Sequence, residues 1–307
     1  MLDLAQREGS ATSLAFAHRA QMQVRYHRGD LVGVEHHFAH LSGFRDAVGS
    51  SRFPGAFVSA IGFAGQAAWI LGYAEKAHER IAQALALARH SQNPFDHAVG
   101  RVFESHLYSF LREPWRAEGA AAQAFALSEE HSFPYIAAIA RITMGWAREL
   151  AGGAGEGESL IRQGLAGLAE LGARLSITEY LTCLAEAQGF GGMVDEALIA
   201  IEEALQANAE ELVYRPNTLI CRGDLRLKLG LTDPAEADFR EAIAFAQKMQ
   251  AKAWELRATT SLARLLASQG RRDEARAMLA EIYNWFTEGF DTADLNDAKA
   301  LLEGLAG

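Results

Sequence analysis

Small and apolar positions recur along this chain with a period near forty residues, longer than the period of any single helix or strand. Gly29, Gly72, Arg112, Gly152, Gly192, Gly230 and Gly270 are spaced 43, 40, 40, 40, 38 and 40 residues apart. Five residues after them stand Val34, Ala77, Ala117, Gly157, Ala197, Ala235 and Ala275, and seven before them Met22, Gly65, Ser105, Gly145, Ala185, Gly223 and Ala263. Nine after come Phe38, Ile81, Ala121, Ile161, Ile201, Phe239 and Leu279. The pattern predicts a helix, a tight turn and a second helix in each repeat. Small side chains let the paired helices cross closely, the larger apolar one plugs into the next repeat, and glycine at the turn supplies the left-handed residue that ends the first helix. Pro54, Pro94 and Pro134 stand where first helices begin, a position that tolerates proline.

Such a period belongs to repeat architectures. The expected fold is all-α: a right-handed α-solenoid of about seven helix-turn-helix repeats, near 10–50, 54–92, 94–132, 134–172, 174–212, 214–249 and 251–287. A final amphipathic helix over 292–305 is expected to cap it, with Leu295, Ala298, Leu301, Leu302 and Leu305 on one face and Trp285, Phe286 and Phe290 pinning it as core. Because a solenoid buries its core between neighbouring repeats, residues 1–307 read as one domain. Leu2 to Gly9 reads as the tail of a second helix, parallel to the stretch from Leu85, so the chain is expected to begin within an array and to expose apolar surface on its first repeat.

Composition narrows the partner classes. Half of the 307 residues are hydrophobic, and no long segment alternates with the period of a half-buried strand. A formal charge of −10 argues against a nucleic-acid backbone as the principal ligand. No run approaches the roughly 18 apolar residues of a membrane span and no secretory leader is visible, so the expected setting is cytoplasmic. Cys183 and Cys221 occupy equivalent places on neighbouring first helices. Packed helix axes lie roughly 8–10 Å apart, beyond the reach of a disulfide, so both are expected as free thiols.

Gly230, Ala235, Phe239 and Ala242, with the small residues before the turn, resemble the tetratricopeptide repeat, here with longer helices than its minimal unit. The stretch from Trp254 through Gly270-Arg-Arg-Asp-Glu-Ala-Arg to Tyr283-Asn-Trp-Phe and Leu295 is similar to the carboxy-terminal repeat region of bacterial signalling proteins. Those join a class III adenylate/guanylate cyclase or a DNA-binding region to a STAND-type ATPase and a tetratricopeptide array. The resemblance implies a sensor or interaction arm. It carries over neither parent activity, since the sequence has no Gly-x4-Gly-Lys-Ser/Thr phosphate loop and nothing that matches the cyclase's metal-binding aspartates.

In tetratricopeptide arrays the first helices line the concave face. Here that face is predicted to carry Arg19, Gln23, Tyr26, His27, Gln66, Trp69, His106, Trp146, Glu149, Glu179, Glu186, Asn217, Asp224, Lys228, Arg257 and Arg264. Aromatic and neutral polar groups lead, carboxylates follow, and the last repeat is basic. A basic peptide segment fits the carboxylates, with an acidic end reaching Arg257 and Arg264. The alternative is that these charges pair with one another and merely solvate the face. His36 and His40 have a spacing able to hold a metal but lack a third ligand, and read as a solvated face. Gly152-Gly-Ala-Gly-Glu-Gly157 superficially resembles a phosphate loop, yet it falls on the repeat's turn without a preceding strand and reads as a turn whose glycines soften the fourth repeat.

No nucleophile–base set emerges, and no cofactor or metal is expected. The leading reading is a non-catalytic scaffold, in bacterial signalling, holding a peptide, helix or partner domain in its concave groove. Two alternatives stand beside it: a small-molecule sensor with Gln66, Trp69, His106 and Trp146 around a metabolite, and self-assembly through the N-terminal repeat. An open groove would suit a peptide and an enclosed pocket a metabolite.

Overall fold

A computed structural model describes residues 2–43, 55–153 and 155–306. The described residues are helices and turns, with no strand among them. A short helix, α1 (Leu2–Glu8), precedes seven antiparallel pairs. These are α2 (Ala11–His27) with α3 (Leu31–Ser42), α4 (Gly55–Ile70) with α5 (Ala74–Ser91), α6 (Pro94–Phe110) with α7 (Pro114–His131), and α8 (Pro134–Leu150) with α9 (Glu156–Glu170). Then follow α10 (Ile177–Phe190) with α11 (Val194–Ala207), α12 (Arg215–Lys228) with α13 (Thr232–Lys248), α14 (Lys252–Ser268) with α15 (Arg272–Tyr283), and the cap α16 (Ala293–Leu305). Pro94 and Pro134 open their helices as expected; Pro54 lies outside the described residues.

The periodic positions do what their size suggests. All seven turn residues have positive φ, from 61° at Arg112 to 101° at Gly72. Val34 and the alanines at 77, 117, 197, 235 and 275 are fully buried, and the larger Ile81, Ile161, Ile201, Phe239 and Leu279 are buried too; Ile81, Ile161 and Phe239 seat over Gly65, Gly145 and Gly223 of their own repeat rather than entering the next one. Phe38 is partly buried and carries the Arg80 guanidinium 4.5 Å from its ring centre. Glycine is required where α8 meets α9: a Cβ on Gly145 would stand 2.4 Å from the Gly157 carbonyl oxygen. That pair is tied down rather than soft at its turn, because the buried Glu149 accepts from the Gly157 and Glu158 amides at 2.8 and 3.2 Å and so caps α9. Ala154 of that turn lies outside the described residues.

The solenoid closes on itself, a feature absent from the repeat pattern. Its seam is the connector between α11 and α12. There the Leu212 and Val213 amides donate to the His27 carbonyl at 2.8 and 3.3 Å, and the Tyr214 hydroxyl stands 3.2 Å from that of Tyr26. From the same connector, buried Glu211 accepts from the Ser176 and Thr178 amides, capping α10, and lies 3.1 Å from His27 Nδ1. A second seam joins the last repeat to the second. Glu288 Oε1 accepts from the Glu75 amide at 2.9 Å at the N-terminus of α5, where no side chain of the repeat itself serves as cap. Trp285 packs over Gly72 and Tyr73, and Arg257 on α14 donates to the Phe110 carbonyl of α6 at 2.7 Å.

The cap helix buries Leu295, Ala298 and Leu305, with Leu301 and Leu302 packed at its margin. Of the three aromatics expected to pin it as core, only Phe286 is buried. Trp285, which packs at the second seam, is 37% exposed, and Phe290, 49% exposed, meets the Tyr283 ring edge-on.

Candidate functional site

Closure lines the concave face with two half-open cavities, both bordered by Tyr214. The N-terminal chamber, about 440 Å³, receives Arg19, Gln23, His27, Gln66 and His106 of the predicted face among aromatic walls from Phe16, Phe63 and Phe103. Gln66 Nε2 and His106 Nδ1 stand 3.2 Å apart, both side chains buried. Burial lowers the His106 imidazole to a pKa of about 4, so it is neutral near pH 7 and offers one donor and one acceptor. Arg19 donates to Ser59 Oγ at 3.2 Å on the rim.

The second chamber, about 420 Å³, receives Trp146, Glu179, Glu186, Asn217, Asp224, Lys228, Arg257 and Arg264. One wall is neutralised. Arg257 forks onto Asp294 of the cap, at 2.5 and 3.2 Å, while Arg112 reaches Asp297 at 2.8 Å and Arg264 lies 3.5 Å from it. The opposite wall, on α10 and α12, carries Glu179, Glu186 and Asp224. Glu186 accepts from Trp146 Nε1 at 2.6 Å and Asn217 Nδ2 at 3.3 Å, both neutral donors. Lys228 turns away to the Gly189 carbonyl at 2.5 Å. The predicted pairing of arginines with these carboxylates is therefore replaced by pairing with the cap.

Enclosure by protein disfavours their ionised forms. Glu179 is pushed up to about 8, first by desolvation and then by the charges of Glu211 and Glu186, with Tyr214 opposing; Asp224 rises to about 6 for the same first reason. Glu186 is raised too, by desolvation. Cys183 and Cys221 line the same chamber as free thiols, held well above the usual thiol range by burial.

Three predicted face residues lie elsewhere. Tyr26 is fully buried under the seam, Glu149 is committed to capping α9, and Trp69 is sandwiched in the core against Phe110 and Trp254 at ring distances of 4.9 and 4.8 Å. The expected aromatic box of Gln66, Trp69, His106 and Trp146 is thereby divided: Gln66 and His106 face one chamber and Trp146 the other. Sequence reading missed Arg112, Tyr214, Trp254, Ser261, Asp294 and Asp297 as residues of this chamber. Of the missed residues only Arg112 carried a signal, as the one non-glycine among the seven turns. His36 and His40 are exposed as expected, although buried His37 and His18 gather with them, Nδ1 to Nδ1 at 2.9 Å. Among the described residues no group of three or more His, Cys, Asp or Glu side chains is arranged to hold a metal ion, and no helix is long and apolar enough to cross a membrane.

No protein-family model matches this chain, and no curated protein does either. Solved structures match over nearly its whole length. A Rap protein complexed with competence and sporulation factor superposes with a TM-score of 0.65 at 11% identity, covering 96% of this chain and 86% of that one. NprR in complex with its cognate peptide NprX gives 0.62 at 13%, covering 94% and 82%. A signal-transduction ATPase with numerous domains and a tetratricopeptide repeat sensor, from Pyrococcus horikoshii, gives 0.50 at 13%, covering 82% of this chain and 41% of that one. The fold is a tetratricopeptide-type solenoid. At these identities the likeness is one of fold alone.

Proposed function

We propose that this protein is a non-catalytic binding module that encloses a short peptide within its closed superhelix, as a receptor arm in bacterial cytoplasmic signalling. The observation that carries the reading is the pair of cavities on the concave face, both bordered by Tyr214. Each is within the roughly 300–1,000 Å³ of sites that enclose small ligands. Cavities of this size suit a few residues of an extended segment. The Rap and NprR structures, whose partners are a competence and sporulation factor and a cognate peptide, support a peptide as occupant.

Carboxylates with raised pKa also mark acid–base catalysts. Here the nearby thiols are held protonated and no base stands in hydrogen-bond reach of either, so the raised values accord with a desolvated binding wall. A second reading, a small-molecule sensor, draws on the N-terminal chamber, whose aromatic walls and neutral His106 suit an apolar metabolite.

Native mass spectrometry of gently purified protein, before and after a salt wash, separates the readings. A retained mass that fragments as a peptide supports the first, and a non-peptide mass the second. Stoichiometric co-purification of a folded partner, with an empty interior, contradicts both.

A further inference from the structure

We propose that the acidic chamber holds the amino-terminal residue of a short peptide, its α-ammonium facing Glu179, Glu186 and Asp224 and its first carbonyl accepting from the indole N–H of Trp254. This rests on the peptide-binding reading above.

Two polar atoms in the chamber wall are unpaired, one of them on the Glu179 carboxyl whose hydrogen-bonding neighbour is Tyr214. Glu179 Oε2 is closed off from water by the surrounding protein and has no hydrogen-bond partner. Trp254, 1% exposed, lines the same chamber, and its Nε1 has none either. Buried polar atoms are paired in the great majority of cases, so each orphan specifies a missing counterpart. An indole N–H only donates and requires an acceptor, whereas a carboxyl oxygen beside two further carboxyl groups favours a cationic donor. An occupant that satisfies both atoms brings a cation and an acceptor. A peptide's first residue has both, on either side of its α-carbon; the ammonium of a lysine side chain has no carbonyl beside it.

The protein's own cations act on Glu186 and Asp224 through space, while their hydrogen bonds and contacts go elsewhere. Arg112, Arg257 and Arg264 face Asp294 and Asp297 on the cap, and Lys228 is spent on the Gly189 carbonyl. Glu186 keeps only the neutral donors Trp146 and Asn217. Asp224, Lys228 and Arg264 are exposed and form the chamber's rim, while Glu179, Tyr214 and Trp254 lie within. Past Tyr214 lies the aromatic chamber, where the side chains that follow the first residue would lodge.

The test is affinity selection on the full chain. Protein is mixed with an equimolar pool of synthetic pentapeptides, randomised at every position, half with free and half with acetylated N-termini. Complexes are isolated by size exclusion and read by mass spectrometry. The proposal predicts enrichment of free over acetylated peptides by about tenfold or more, the effect of one charge-assisted hydrogen bond. In the near-isosteric double variant Glu179→Gln/Asp224→Asn, peptides are still retained but that preference falls towards one.

Equal retention of free and acetylated peptides overturns the proposal and leaves the peptide-binding reading intact. No retention of any peptide overturns that reading and the proposal with it. In a parallel arm the twenty amino-acid amides, which share the ammonium and carbonyl, are weakly held; retention equal to that of the peptides overturns the peptide as the source of this chemistry.

Discussion

The phenol oxygens of Tyr26 and Tyr214, 188 positions apart in the chain, stand 3.2 Å from each other in a buried hydrogen bond. Deleting the Tyr214 hydroxyl strands that of Tyr26 away from water, whereas Tyr214 keeps Glu179 as a neighbour when Tyr26 is cut back. Tyr26→Phe and Tyr214→Phe are each expected to cost about 1–3 kcal/mol, and the double variant less than their sum. Urea unfolding of the four proteins gives the coupling, and additive costs would mean that the two rings do not meet.

Gly72 and Gly192 occupy the same place in their repeats, at φ of 101° and 82°, but only Gly72 lies under the second seam. A Cβ on Gly72 would fall 2.7 Å from Trp285, while one on Gly192 would meet nothing within 4 Å. Gly192→Ala is expected to cost about 1–2 kcal/mol of backbone strain. Gly72→Ala should cost about 1–3 kcal/mol more through overpacking. Equal melting temperatures for the two variants would refute the seam.

Arg257 ties α14 to the cap and to α6, with its guanidinium 5.0 Å from the Trp254 ring centre and 5.4 Å from that of Trp69. Arg257→Met leaves Asp294, 12% exposed in its side chain, without its main counter-charge. The expected loss is about 3–5 kcal/mol. Arg257→Lys should recover only part of it, since an ammonium cannot fork onto a carboxylate while reaching the Phe110 carbonyl.

Glu179 sets an alkaline limit on stability. Its folded pKa of about 8 lies above the unfolded value near 4.5, so between these the folded chain keeps a proton that the unfolded chain has lost. Its contribution is full below pH 4.5 and is lost as pH rises through 8. Melting temperature should therefore fall from pH 6 to pH 8 more steeply in the wild type than in Glu179→Gln. Parallel curves would place Glu179 in water. His106 acts oppositely: its folded pKa of about 4 means that stability falls as pH drops from 6.5 towards 4.

The repeat was legible because each unit restates the same local problem. A left-handed turn, a close crossing and a knob recur at Gly230, Ala235 and Phe239 as at Gly192, Ala197 and Ile201, and every copy reinforces the reading. Closure is made once, by partners without a period: Tyr26 with Tyr214, Glu288 with the amide of Glu75, Arg257 with the carbonyl of Phe110. Register along the first helices placed Glu179, Glu186 and Asp224 on the concave side. It could not show that Trp69 is walled in by Trp254 from five repeats on, nor that Glu149 turns back to cap its own turn. Arg257 and Arg264 read as a basic end because their aspartates lie on the cap helix, outside the repeat.

A ligand held inside the superhelix is displaced by filling the chamber. Ser261 lines the acidic chamber, whereas Ile199 on α11 is 70% exposed outside both chambers. Peptide retention should be lost in Ser261→Trp, with an unchanged helical spectrum, and should persist in Ile199→Asp. Retention that survives the filled chamber and disappears with the surface change would place the ligand on the convex face and contradict the account.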